Sequence, residues 1–76
     1  MIKVNLPPLA EGVNKATITY LYVASGDEVK EGDKLAELVT DKATFNLPSP
    51  GAGRVDQIFF KEGDEVSVGQ TMFQLG

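Results

Sequence analysis

The chain has 76 residues, no cysteine, no histidine and a formal net charge of −4 at pH 7. This length provides one small domain, and without cysteine its stability must come from hydrophobic packing rather than from disulfides. The acidic balance argues against nucleic acid and anionic membrane surfaces as partners. No stretch is long and apolar enough to span a membrane, and no export signal is visible, so we expect a soluble domain.

Short strands are predicted along the chain from β-branched and aromatic runs separated by turn residues. A strand-like segment opens the chain at residues 2–4, and residues 16–23 form the next such run. Two more runs flank a polar break at residues 41–42, which predicts a hairpin. Residues 54–60 form a further run, whose polar positions suit a strand with one solvated face. No window has a sustained helical period, so the chain is predicted to be all-β.

An internal repeat organises these strands. Residues 26–32 (GDEVKEG) match residues 63–69 (GDEVSVG), and residues 4–7 match residues 45–48 in a register shifted by four. Gly-Asp turns recur in many all-β proteins, but a shared pattern of this length favours a duplicated four-strand unit. Eight strands are then expected to form a flattened β-barrel, or sandwich, of two four-stranded antiparallel sheets with quasi-twofold symmetry.

Lys42 lies at the junction of the two halves, at the tip of the predicted hairpin. The symmetry-related junction is the pair of chain termini, so we expect the tip and the termini at opposite ends of the domain. The register shift also makes the first-half loop, residues 8–15, longer than its counterpart at residues 49–52. Symmetry places this longer loop beside Lys42, and loops on a rigid scaffold commonly carry recognition. The sequence therefore predicts a lysine presented next to a recognition loop.

Other interpretations of the charged residues are weaker. A lysine in a polar turn is common on any surface, and five other lysines occur in the chain. The acidic residues recur as turn residues in both halves and lack the spacing of a calcium loop, so no metal site is predicted. A nucleophilic lysine needs a buried apolar or cationic site, which an exposed tip does not provide. We therefore predict no catalytic residue.

Several motifs together resemble the lipoyl domain of 2-oxo acid dehydrogenase acyltransferases, within the biotinyl/lipoyl-attachment family. They are residues 6–7 (LP) with 11–12 (EG), the two Gly-Asp turns, residues 41–43 (DKA), residues 47–50 (LPSP) and residues 51–53 (GAG). The resemblance covers essentially the whole chain. It implies the barrel-sandwich hybrid fold and a single carrier domain over residues 1–76, which is not itself an enzyme.

The resemblance also implies a cofactor and partners. Lipoic acid would be amide-linked to Lys42 by a lipoate ligase or lipoyl transferase. The arm would then visit a thiamin-diphosphate-dependent 2-oxo acid decarboxylase, an acyltransferase core and dihydrolipoamide dehydrogenase. These partners would recognise Asp41 and Ala43, which flank the modified lysine. The loop would contribute to decarboxylase recognition through five residues: Leu9, Ala10, Glu11, Gly12 and Val13. Ala10 departs from the family, in which glycine is frequent there.

Two alternatives remain open at this point. A biotin carrier domain of a biotin-dependent carboxylase shares the fold, but that resemblance expects methionine on both sides of the lysine, whereas this chain has Asp41 and Ala43. An unmodified interaction module using the hairpin as a rigid spacer is the other. For a lipoyl domain we expect a monomer, in the cytoplasm of a prokaryote or the mitochondrial matrix of a eukaryote.

Overall fold

A computed structural model describes residues 2–9 and 11–76 of the chain. The described residues form eight strands: β1 (Ile2–Asn5), β2 (Lys15–Leu21), β3 (Glu28–Val29), β4 (Lys34–Val39), β5 (Thr44–Pro48), β6 (Gly53–Ile58), β7 (Glu65–Ser67) and β8 (Thr71–Leu75). They form two four-stranded antiparallel sheets, ordered β1-β8-β6-β3 and β5-β4-β2-β7. The predicted all-β sandwich is therefore confirmed. The described residues include no helix that could cross a membrane.

The two halves are related by a quasi-twofold axis. Each strand of the first sheet has an equivalent in the second: β1 corresponds to β5, β8 to β4, β6 to β2 and β3 to β7, so the two sheets have the same strand order. The hydrogen bonds repeat as well: the Val55 N–H donates to the Asp27 carbonyl at 2.8 Å, and the Ile18 N–H donates to the Asp64 carbonyl at 2.9 Å. The two donors are 55 − 18 = 37 residues apart, and the two acceptors are 64 − 27 = 37 residues apart. This distance is the offset of the sequence repeat.

The first strands of the two halves align differently from the prediction. Val4 lies opposite Phe73 and Leu47 lies opposite Ala36, so Val4 and Leu47 are equivalent at an offset of 43. The sequence match pairs Val4 with Phe45, at an offset of 45 − 4 = 41, which is four more than the offset of 37 in the rest of the repeat. The structural offset of 43 is six more than 37. An error of two residues preserves the in–out alternation of a strand, so the hydrophobic pattern did not reveal it.

A single apolar core lies between the two sheets. Its buried members are Val4, Leu6, Ala16, Ile18, Val29, Leu35, Ala36, Leu38, Leu47, Val55, Val66, Met72, Phe73 and Leu75. Ser49 is the one buried polar residue in the described part of the chain, and the symmetry places it where the other half has Leu6. Its hydroxyl donates to the Gly51 carbonyl at 2.7 Å, which satisfies the polar group that burial removes from water.

The chain ends and the β4–β5 hairpin tip lie at opposite ends of β5. This strand runs away from the tip, and Gly51 follows shortly after its end. A Cβ placed on Gly51 would lie 3.5 Å from the Ile2 side chain, and Ile2 lies opposite Leu75 in the sheet. The loop that contains Gly51 is thus close to Ile2 and Leu75, and for the described residues the predicted polarity of the domain is confirmed.

Candidate functional site

The tip of the β4–β5 hairpin is a tight turn organised by one threonine. The strands remain paired up to Val39 and Thr44, so residues 40–43 make the turn. The Thr40 N–H donates to the Ala43 carbonyl at 2.8 Å. The Thr40 hydroxyl accepts hydrogen bonds from the N–H groups of Lys42 and Ala43, at 3.2 and 3.1 Å, and lies 3.2 Å from the Ala43 carbonyl, to which it donates.

This arrangement explains how a turn without glycine closes the hairpin. The favoured two-residue hairpin turns need positive φ angles, which asparagine and glycine adopt most easily. No non-glycine residue in the described part of the chain has a positive φ, so Asp41 and Lys42 do not form such a turn. The Thr40 hydroxyl instead supplies a local acceptor for the exposed N–H groups, as threonine does in other turns. The backbone of Lys42 is therefore held by its neighbour.

Removing this hydroxyl is expected to loosen the tip without unfolding the domain. Thr40→Val should lower the free energy of unfolding by about 1 kcal/mol, since water can reach the freed N–H groups. Amide exchange at Lys42 and Ala43 should accelerate, as measured by NMR. Thr40→Ser is the matched control, because it keeps the hydroxyl and should retain protection. Equal loss of protection in the two variants would contradict the assigned role.

The lysine at the tip is free in solvent. Asp41, Lys42 and Ala43 are all exposed. The ion pairs among the described residues, Lys15 with Glu65 and Arg54 with Glu28, do not involve Lys42. Its amine is thus presented on a short rigid support, accessible to another protein. Those residues also include no group of three His, Cys, Asp or Glu that could hold a metal ion.

The β1–β2 loop borders the tip on two sides, as the repeat predicted. On one side, an apolar depression of about 230 Å³ is lined by Leu9, Val13, Thr40, Lys42, Ala43 and Phe45. On the other side, a polar cleft of about 370 Å³ is lined by residues 12–17 together with Val39, Thr40, Asp41 and Glu65. The two surfaces differ in chemistry and share Val13 and Thr40, and Lys42 lines the apolar one.

Most predicted site residues come together at this end of the domain. Leu9, Gly12 and Val13 line the two sides of the tip, next to the predicted 41–43 segment. Glu11 is exposed on the same loop and lines neither surface. Ala10 lies outside the described residues.

Sequence reasoning missed two residues of this site. Thr40 organises the turn, and Phe45 forms part of the apolar depression. A threonine directly before a polar turn is a recognisable turn signal and could have identified Thr40. Phe45 gave no comparable signal, because an aromatic residue in a predicted strand is expected to pack in the core.

The fold and the tip define a class of small β domain that presents one exposed lysine on a hairpin. The sequence profile of the Biotin_lipoyl family, described as "Biotin-requiring enzyme", matches residues 2–75. The chain belongs to this family.

Curated relatives in bacteria are similar over most of this chain. Two carry the name dihydrolipoyllysine-residue acetyltransferase component of pyruvate dehydrogenase complex. The one from Bacillus subtilis is 42% identical over 67 residues, which is 88% of this chain and 15% of that protein. The one from Mycoplasma capricolum is 36% identical over 75 residues, which is 99% of this chain and 17% of that protein. The chain thus spans about a sixth of the length of these relatives.

Two solved structures share the fold. The lipoyl domain of the 2-oxoglutarate dehydrogenase complex from Azotobacter vinelandii has a TM-score of 0.79 at 24% identity, with 100% of this chain and 96% of that chain covered. A single-chain, multi-domain long-chain acyl-CoA carboxylase has a TM-score of 0.72 at 20% identity, with 88% of this chain and 8% of that chain covered. At these identities the likeness concerns the fold alone, and it extends to both kinds of protein.

Proposed function

We propose that this chain is a lipoyl carrier domain, with lipoic acid attached through an amide bond to Lys42. The observation that carries the proposal is the placement of Lys42, which is exposed at a rigid tip between the repeats. The names of the curated relatives, which refer to a dihydrolipoyllysine residue, support lipoate as the attached group.

The residues at the tip fit such a group. An amide bond requires an accessible primary amine, and Lys42 provides one without an ion-pair partner among the described residues. The lipoyl dithiolane supplies redox-coupled acyl transfer, chemistry that a chain without cysteine or histidine does not offer. The protein contributes placement, because tethering raises the effective concentration of the arm at each partner's active site. The domain itself then acts as a carrier rather than as a catalyst.

The partners follow from the same proposal. A lipoate ligase or lipoyl transferase would recognise the tip, through Asp41 and Ala43 beside Lys42. A thiamin-diphosphate-dependent decarboxylase, an acyltransferase core and dihydrolipoamide dehydrogenase would use the loaded arm, and the β1–β2 loop would be read by the decarboxylase. The domain alone would be a monomer, in the cytoplasm of a prokaryote or the mitochondrial matrix of a eukaryote.

Biotin is the competing cofactor, because biotin-type domains belong to the same family and share the fold. The side chains flanking the lysine favour lipoate. Methionine is expected on both sides of a biotinylated lysine, whereas this chain has Asp41 and Ala43 at those positions. An unmodified spacer module is the other alternative, and it gives no reason for a lysine at the tip.

Incubation with purified ligases distinguishes these functions. The domain should gain one lipoyl group with lipoate ligase and no biotin with biotin ligase, as shown by intact-mass spectrometry. Conversion of the ammonium into an amide removes one positive charge, so the formal charge should change from −4 to −4 − 1 = −5 and be visible on a native gel. A biotin adduct alone would favour the carboxylase role. No adduct with either ligase would favour the spacer.

A further inference from the structure

The apolar depression beside Lys42 is a surface that the carrier role alone does not explain. An arm that only swings needs an exposed amine, whereas here the exposed Lys42 is also one of the residues that line a depression of about 230 Å³. Leu9, Val13 and Phe45 supply much of the remaining lining, and each is half-buried. Apolar side chains left partly open to solvent favour contact with another apolar group.

The quasi-twofold symmetry shows what is special about this end of the domain. At the other end, the position equivalent to Phe45 is Ile2, since 45 − 2 = 43, and Ile2 lies against the short loop at Gly51. At the Lys42 end, the loop is six residues longer, as the offset of 43 − 37 shows. The extra length supplies Leu9 and Val13, which line the depression together with Phe45. The depression thus arises where the two halves differ.

We propose that the lipoyl arm attached to Lys42 docks into this depression, against Leu9, Val13 and Phe45. The inference rests on the proposed lipoylation. The arm begins beside the depression, because Lys42 is one of the residues that line it. Pockets for drug-sized ligands occupy roughly 300–1,000 Å³, so a depression of about 230 Å³ suits a short acyl chain with one small ring rather than a larger ligand.

Docking would couple the arm to recognition of the loop. The same side chains, Leu9 and Val13, would be covered by the arm or by a partner that binds the loop, but not by both. A partner that binds there would therefore release the arm at the moment it is needed. Because the docked arm is tethered, its binding is intramolecular and does not depend on protein concentration.

The test is NMR on the lipoylated domain, with loading first confirmed by mass. We expect nuclear Overhauser contacts between the arm and the methyl groups of Leu9 and Val13, and slower motion of the arm than in free lipoamide. If roughly four-fifths of the arms are docked, the free fraction falls about five-fold. Contacts to the polar cleft instead, or an arm as mobile as free lipoamide, would overturn the inference.

Matched variants test the lining. Val13→Thr keeps the shape of the side chain and adds a hydroxyl, so it should weaken the contacts and increase arm mobility. Val23→Thr makes the same change at another half-buried valine that lines none of the surfaces at the tip. It should leave the arm docked. Equal behaviour of the two variants would contradict the assignment.

A further experiment tests docking independently of the proposed lipoylation. The chain has no cysteine, so Lys42→Cys creates a unique thiol to which an octyl chain can be attached by alkylation. Contacts of the octyl group with Leu9 and Val13 would support docking even if lipoate ligase does not modify the domain. A lipoylated domain whose arm does not contact the depression would leave the carrier role intact and overturn docking.

Discussion

Lys42→Arg is expected to abolish lipoylation completely, although it preserves the positive charge at the tip. Arginine also keeps a long exposed side chain, so the fold should be unaffected, as exposed substitutions usually change stability by less than about 0.5 kcal/mol. The guanidinium is always protonated and does not offer the amine that an amide bond requires. Intact-mass spectrometry after incubation with lipoate ligase measures the result directly.

The matched control is Lys61→Arg, the same change at another exposed lysine. This variant should be lipoylated like the natural chain. A double variant, Asp41→Lys with Lys42→Asp, moves the amine by one position while leaving the composition unchanged. It should lose modification, because the Thr40 hydroxyl holds the Lys42 N–H and thereby fixes which residue occupies the tip. Lipoylation of Lys42→Arg would show that the attachment site lies elsewhere, whereas lipoylation of the double variant at position 41 would show that the turn does not fix which residue is modified.

The sequence repeat predicted much of this architecture for a physical reason. Gly26 and Gly63 stand at positive φ angles, which glycine adopts at little cost, so the turns are visible in the sequence. Once two such turns align, the sheet arrangement follows from packing two amphipathic halves against each other. The exposed tip at Lys42 follows from the same repeat.

The details of the site depend on contacts that a repeat does not encode. The structural register of β1 differs by two residues from the sequence match. The hydrophobic pattern did not reveal this difference, because an even shift leaves the in–out alternation of a strand unchanged. The apolar depression requires Leu9 and Phe45 to meet, although they belong to segments far apart in the chain. Their proximity depends on how the loop folds back over the hairpin, and that path was not visible in the strand pattern.

The core also departs from the symmetry of the backbone. Phe73 and Ala36 occupy equivalent positions in β8 and β4, since 73 − 36 = 37, and both are fully buried. One half thus provides the volume that the other lacks. The backbone repeat therefore does not make the two halves interchangeable in packing, and Phe73 has no duplicate that could compensate for its loss.

Phe73→Ala is accordingly expected to be the most destabilising single core substitution in the domain. Truncating a buried phenylalanine costs about 3–5 kcal/mol, because apolar contacts are lost and a cavity remains. Domains are stable by roughly 0.05–0.15 kcal/mol per residue, which is about 4–11 kcal/mol for a chain of this length. The variant should therefore lose between about a quarter and all of its free energy of unfolding, as measured by urea unfolding followed by circular dichroism.

The matched control for this core variant is Phe59→Ala. Phe59 is 45% exposed, whereas Phe73 is 0% exposed, so the same truncation should cost far less there. Comparable losses of stability in the two variants would show that the core tolerates the cavity. The result also bears on Lys42, because the hairpin that presents it rests on the same core through Leu38 and Leu47. If Phe73→Ala unfolds the domain, its lipoylation should fall with the folded fraction, since the unfolded chain has no turn to present the lysine.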